Sequence, residues 1–274
     1  MSAAAAPAIR SQLQTALALR TAGRLQDALE ALSMPGEYSA DFYTIRGEIQ
    51  LALGRYQEAA GSYFTVVASE PGNAFAQFNL ALCLQQLKRW DEAAQAFKKV
   101  LEADPHRDDA RLGLGASLLH LNRPEEALIH FDVCWSDAAR PRVLLGKAVA
   151  LQFLRHYEEA EAAYERLLQS DANSQEVLGN LLALNVETHD WDAVEHYAQR
   201  LLETSPQSIP AVQGLAAVAL ERREYEAAVR YCGRLVELDP ECVEGWHNLR
   251  FATGRVMSAL KGPPAAPGSL AGRK

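Results

Sequence analysis

The sequence predicts an all-α solenoid of stacked helix–turn–helix units, and three observations carry that prediction. Small residues recur at Ala59, Ala93, Ala127, Ala160, Val194 and Ala228, spaced 34, 34, 33, 34 and 34. Prolines keep the same interval: Pro71 to Pro105 and Pro206 to Pro240 are each 34, and Pro105 to Pro206 is 101, three periods less one residue. Between these beats the apolar residues follow helical spacing. A fixed period in the thirties is the mark of a helical solenoid, and such arrays usually present a surface and seldom enclose a reaction centre.

One unit, Ala74–Arg107, explains the period. A first apolar stripe (Phe75, Phe78, Leu80, Leu82, Leu84, Leu87) has helical spacing and stops at Lys88-Arg89, a turn. A second stripe (Trp90, Ala93, Ala94, Phe97, Val100, Leu101) opens with Asp91-Glu92, acids that suit the positive end of a helix dipole. Asp104-Pro105 ends it, because proline cannot continue a helix and biases its predecessor away from helical angles. Small residues fall on both helices: Gly47, Ala81, Gly115, Ala148 and Ala216 on the first, the alanine series on the second. Closely crossing helices need such side chains. Tyr63, Phe97, Phe131 and Tyr164 then reach toward the following unit.

These residues resemble the tetratricopeptide repeat, a family of 34-residue helix–turn–helix units. Leu80, Ala81, Trp90, Ala93, Phe97 and Pro105 fit its pattern, with Gln77 where a large residue is usual. Tyr43, Gly47, Tyr56, Ala59, Tyr63 and Pro71 fit as well, with Arg46 in place of leucine. Gly115, Pro124, Ala127, Phe131, Ala148, Tyr157, Ala160 and Tyr164 continue the series. The resemblance implies a right-handed α-solenoid (superhelix) of about seven units over 9–261, at 9–39, 40–73, 74–107, 108–140, 141–174, 175–208 and 209–242. A lone helix over 243–261 is expected to cap the stack, as solenoids require. A flexible N-terminus (1–8) and a disordered Pro/Gly/Ala-rich tail (262–274) are expected to flank the array.

Departures from the pattern are expected to be absorbed locally. Leu182 and Val194 stand where small residues are usual and Ala198 where an aromatic is, a trade at roughly constant volume. Pro124 falls in the first turn of a helix, where proline is tolerated. The fourth unit ends in Trp135-Ser136-Asp137 without proline and is one residue short, so a change in twist and a partly exposed Trp135 are expected there.

Composition excludes several function classes. With 27 Lys and Arg against 35 Asp and Glu, the net charge of −8 argues against nucleic acid or an anionic membrane as the main partner. No apolar run approaches the length of a membrane span, and the first residues lack the apolar core of a secretory signal, so cytoplasm is expected. Cys83, Cys134, Cys232 and Cys242 show no CxxC pair or zinc spacing, and free thiols are expected. His189 and His196 flank a turn and read as surface histidines. Phosphate-binding loops, GxSxG and HExxH are absent, and Gly113-Leu-Gly115 lies mid-helix where one glycine serves packing. No enzyme activity, cofactor or metal is expected.

The resemblance places function in a concave groove lined by the first helix of each unit. Carried over residue by residue, the inward set includes Phe75, Phe78, Asn79, Leu82, Gln86, Leu112, Leu145, Gln152, Phe153, Asn180, Glu187, Glu221 and Asn248 as peptide-binding candidates, with Ala183, Gln213, Ala217 and Glu244 beside them. Asn79, Asn180 and Asn248 share one register and could pair with a peptide backbone, or be merely tolerated polar residues. Phe75, Phe78, Leu82, Leu112, Leu145 and Phe153 read either as an exposed apolar strip or, for Phe75 and Leu82, as core between units. Glu176, Glu187, Glu221 and Glu244 make the C-terminal half acidic, or are solvated. The expected function is a non-catalytic adaptor whose groove binds a protein segment with apolar anchors and a basic end. The alternative is a structural or assembly module that docks or self-associates through its edges or convex face. No three consecutive units supply the lysines, arginine and asparagines of the family's clamp for acidic chaperone tails.

Overall fold

The structure is a computed structural model that describes residues 5–32, 39–134 and 140–260. Over them the chain is helical, without strands. The helices are α1 (Ala5–Thr21), α2 (Leu25–Ala31), α3 (Ala40–Ala52), α4 (Tyr56–Ser69), α5 (Ala74–Gln86), α6 (Trp90–Ala103), α7 (Asp108–His120) and α8 (Pro124–Asp132). They continue as α9 (Arg140–Phe153), α10 (Tyr157–Ser170), α11 (Gln175–Thr188), α12 (Trp191–Thr204), α13 (Ile209–Glu221), α14 (Tyr225–Leu238) and α15 (Val243–Leu260). They form two compact units, 1–156 and 157–274.

Where the N-terminus was expected to be flexible up to residue 8, α1 begins at Ala5. Alanine is the strongest helix former, and Pro7 sits in the first turn, where its missing N–H costs nothing. The tail 262–274 and Trp135 lie outside the described residues.

Each helix pair is closed by one left-handed residue, and that residue keeps the period. Gly23, Gly54, Lys88, Asn122, Arg155, His189 and Arg223 all have φ between 57° and 75°. Only the first two are glycine, so five units hold an L side chain in a conformation that costs it roughly 1 kcal/mol. Helix starts are capped where the sequence allows. Asn73 Oδ1 accepts from Ala76 N at 3.0 Å, and Asp190 Oδ1 accepts from Ala193 N at 3.0 Å. Before α2, α4, α6 and α8 an arginine precedes the acidic first turn and pairs with it, as Arg89 does with Glu92 and Arg123 with Glu126. These pairs are exposed and add little stability.

The core is set by rings laid against bare backbone. A Cβ built on Gly113 would lie 2.3 Å from Phe97 Cζ, one on Gly115 2.4 Å from Phe131 Cε1, and one on Gly146 2.5 Å from Phe131 Cζ. Gly47 meets Tyr63 at 2.9 Å in the same way. Phe97 of α6 thus seats on α7, while Phe131 of α8 touches both α7 and α9. The Gly113-Leu-Gly115 segment therefore spends both glycines on packing, where one was expected, because two successive second-helix rings converge on α7. In the second unit the bulk moves to the first helix. Leu182 and Val194 approach Gly214 at 3.0 and 3.3 Å, and Ala198 is fully buried.

Helix α15 covers α14 less completely than expected. A Cβ built on Gly245 would lie 3.1 Å from Leu235 and Val236, and Ala252 is buried. Trp246, Met257 and Leu260 are exposed with Val243. The apolar arc of α15 is wider than one neighbouring helix can cover, and no second helix is described after it.

Burial also perturbs the core's acids. The Cys83 thiol is pushed from 9.0 up to about 11 by desolvation, and the Tyr63 and Tyr164 phenols are raised mainly by the same cause. Each native group holds its proton above the pH at which the unfolded chain releases it. Stability conferred by these groups is therefore full below pH 9 and falls as pH rises toward 11; urea titrations across that window should give a falling midpoint. A second expectation separates two kinds of glycine. Gly113→Ala should cost about 1–3 kcal/mol through overpacking against Phe97. Gly233→Ala, which meets nothing within 4 Å, should stabilise by about 0.5–1 kcal/mol through helix propensity. Thermal melts of the two variants check the opposite signs.

Candidate functional site

Because the small residues of each first helix face its partner, the remaining positions of that helix are turned away from the core. In the first unit this face carries Phe75, 45% exposed, and Phe153, 53% exposed. Phe78 is half-buried: its ring meets Phe97 edge-on at 5.8 Å, and the Arg107 guanidinium lies 4.0 Å over it. Leu82 and Leu145 are half-buried, as is Gln152, and Gln86 is exposed.

Two candidates prove to be core. Leu112 is buried among α6 to α8 residues, because the turn of α7 that bears it is pulled in by Gly113 and Gly115. Asn79 is buried too, and its Nδ2 donates to Phe75 O at 3.0 Å, a bond within its own helix. That bond uses one of the two N–H donors of Asn79, and burial withdraws the rest of the amide from a peptide backbone on that face.

Charges on this face are largely neutralised between neighbouring first helices. Arg20 pairs with Glu48, and Arg142 pairs with Asp109 at 3.0 Å. Gln85 Nε2 donates to Gly113 O and Ser117 Oγ, both at 2.9 Å, tying α5 to α7. Trp90 and His120 stack at 3.8 Å, 30 residues apart, a contact with no sequence signal. A detectable but overlooked residue is Asn185. It occupies a register held by Leu84 and Ala219 in other repeats, is buried, and donates to Leu181 O at 2.9 Å.

The second unit holds a cleft of about 460 Å³ between α11, α13 and α15. Leu182, Val186, Gly214, Ala216 and Leu235 give it an apolar floor, and Gly179, Ala183 and Ala217 leave it open. Glu187, Gln213, Glu244 and Asn248 stand on its walls, and no lysine or arginine lines it. The Glu187 field is felt below, where it helps burial hold the Tyr164 phenol above its ordinary range. Glu187 and Asn248 are thus brought to one cleft. Asn180 is half-buried on the same helix as Glu187 but does not line it, and Glu221 is exposed outside it. Among the described residues no group of three His, Cys, Asp or Glu side chains could hold a metal ion, and no helix is long and apolar enough to cross a membrane.

Two tetratricopeptide-repeat profiles match the chain, one over residues 13–74 and 46–108 and the other over 86–133. The chain is a tetratricopeptide-repeat protein. A profile of the coatomer epsilon subunit matches residues 128–230. No curated protein matches the sequence. Among solved structures, a tetratricopeptide repeat protein from Parabacteroides merdae superposes with a TM-score of 0.70 at 17% identity, covering 90% of this chain and 99% of that one. PilW, a type IV pilus biogenesis factor, gives 0.67 at 19% identity, covering 80% of this chain and 100% of its own. YrrB, described as a tetratricopeptide-repeat protein with an unusual peptide-binding site, gives 0.51 at 16%, covering 69% and 97%. At such identities these likenesses establish the fold of the repeat protein and nothing finer.

The face and the core respond differently to mutation. Leu112→Ala should cost about 2–5 kcal/mol by opening a cavity. Phe153→Ser should stay within about 0.5 kcal/mol because water already reaches the ring. Paired urea denaturation curves check the difference.

Proposed function

We propose that this repeat protein is a non-catalytic adaptor that binds a segment of a partner protein on its first-helix face, with the cleft between α11, α13 and α15 as the anchoring point. The observation that carries the reading is the make-up of that cleft: an apolar floor ringed by two carboxylates and two amides. An apolar side chain would bury itself on Leu182 and Leu235, and a neighbouring lysine or arginine would meet Glu187 and Glu244. Gln213 and Asn248 can each donate to and accept from a peptide group. Phe75 and Phe153 give the first unit an exposed apolar surface of its own. The family's general role in protein interaction and assembly supports the reading, as does the peptide-binding site named for YrrB. The reading takes the cytoplasm as its compartment, which suits the free cysteines, of which Cys83 and Cys232 are buried.

A second reading, an assembly module, draws on α15, whose exposed Val243, Trp246, Met257 and Leu260 are spaced 3, 11 and 3 residues apart and so share one stripe of the helix. The coatomer epsilon likeness over 128–230 points the same way, since its name marks a subunit of a larger assembly.

Affinity purification separates the two. With Glu187→Lys and Glu244→Lys combined, bound partners should fall by about tenfold or more, with most of the loss at low salt. Met257→Glu with Leu260→Glu should leave them unchanged. Loss of partners, or of self-association in sedimentation runs, only in the α15 variant would move function to the assembly module.

A further inference from the structure

A second cleft, of about 390 Å³, lies in the first unit on the opposite side of α5, between α4 and α6. Its volume is within the range of small-ligand sites, ~300–1,000 Å³. Leu80 and Leu84 of α5 form its floor, and Phe64 and Val67 of α4 one wall. Phe64 is 63% exposed, a large aromatic kept in water beside an apolar floor.

Gln77 sets this cleft apart. It is 3% exposed, yet its side-chain amide makes no hydrogen bond, and it lines the cleft. The same register carries Tyr43 one repeat earlier and Leu178 three repeats later. One repeat later the register holds Arg111, so the position admits polar as well as apolar groups, and here it turns an amide donor and acceptor into the cleft. That amide stays open to the water of the cleft, where it can donate to and accept from a bound group. On the rim Arg89 is held by Glu92 through two bonds of 2.6 Å, whereas Lys99 has no carboxylate partner. The unspent charge of the cleft is therefore positive, opposite in sign to that of the α11–α13–α15 cleft.

We infer that the α4–α6 cleft is a separate docking site for an extended segment of a partner protein, which inserts one bulky apolar side chain beside Phe64 and Leu80, pairs a backbone amide with Gln77, and directs an adjacent carboxylate to Lys99. The apolar wall selects the anchor, the amide selects an extended backbone over a bare hydrophobe, and Lys99 selects an acidic neighbour. Binding here uses none of the residues of the first-helix face, so the repeat protein can hold two segments of opposite charge.

The test is an NMR titration of the full-length, ¹⁵N-labelled chain with two capped tetrapeptides, acetyl-Ala-Leu-Asp-Ala-amide and its variant with lysine for aspartate, up to about 10 mM. The aspartate peptide should shift the Gln77 side-chain NH₂ signals and the Phe64 and Ala96 backbone signals, binding about threefold tighter than the lysine peptide. Lys99→Glu should reverse that preference. Gln77→Leu, which installs the residue present at Leu178, should abolish the shifts with helicity retained. Phe64→Ser, on an exposed ring, should weaken them without touching the core. Absence of shifts at Gln77 with either peptide would mean that water alone satisfies the amide and would overturn the proposal. So would equal binding by the wild type, Gln77→Leu and Phe64→Ser chains. Neither result bears on the Glu187 and Glu244 cleft.

Discussion

An aromatic ring lying on the bare Cα of a glycine is the contact on which the described packing of the first unit depends. Phe97 on Gly113, and Phe131 on Gly115 and Gly146, bring a second helix and the following first helix closer than any side chain would permit. The distances a Cβ would have to occupy, 2.3 to 2.5 Å, leave no slack for relaxation of backbone on either side. Each ring therefore fixes both separation and register, and the 34-residue interval follows: the next ring must find the next small residue at the same height. In the second unit Leu182 and Val194 against Gly214 reach the same end with aliphatic groups, so the volume is kept while its source moves between helices.

Fixing the small residues inward also fixes what remains outward. First-helix positions three and four apart from the core row project together, which makes a face on each unit. The two units differ in the charge they carry there. Arg20–Glu48 and Arg142–Asp109 cancel charge between neighbouring helices of the first unit. In the second, Glu187 and Glu244 stand together on the walls of one apolar-floored cleft.

Function-bearing candidates arise where a repeat leaves a group over. Gln77 turns an amide into a cleft; the wide apolar arc of α15 leaves a stripe that α14 alone does not cover. Both leave something unpaired, an amide in one case and apolar surface in the other.

The sequence by itself determined the helices, their pairing and their turns, because the apolar period, the prolines and the small-residue series are local signals repeated along the chain. It also set Glu187 and Asn248 on first-helix positions that the structure brings to one cleft. It misjudged Leu112 and Asn79. Both obey the outward register, but α7 is drawn in by rings from α6 and α8, and the Asn79 amide turns back on its own helix. Only the tertiary structure decided these, since burial of a half-turned residue depends on how deeply its helix is seated. It alone placed Arg107 over Phe78, Trp90 on His120 and Gln77 in a cleft, contacts between residues whose separation leaves no trace in a one-dimensional period. Periodicity records which face of a helix is inward; how far inward is set by the volume of the neighbours, and that is a property of the packed assembly.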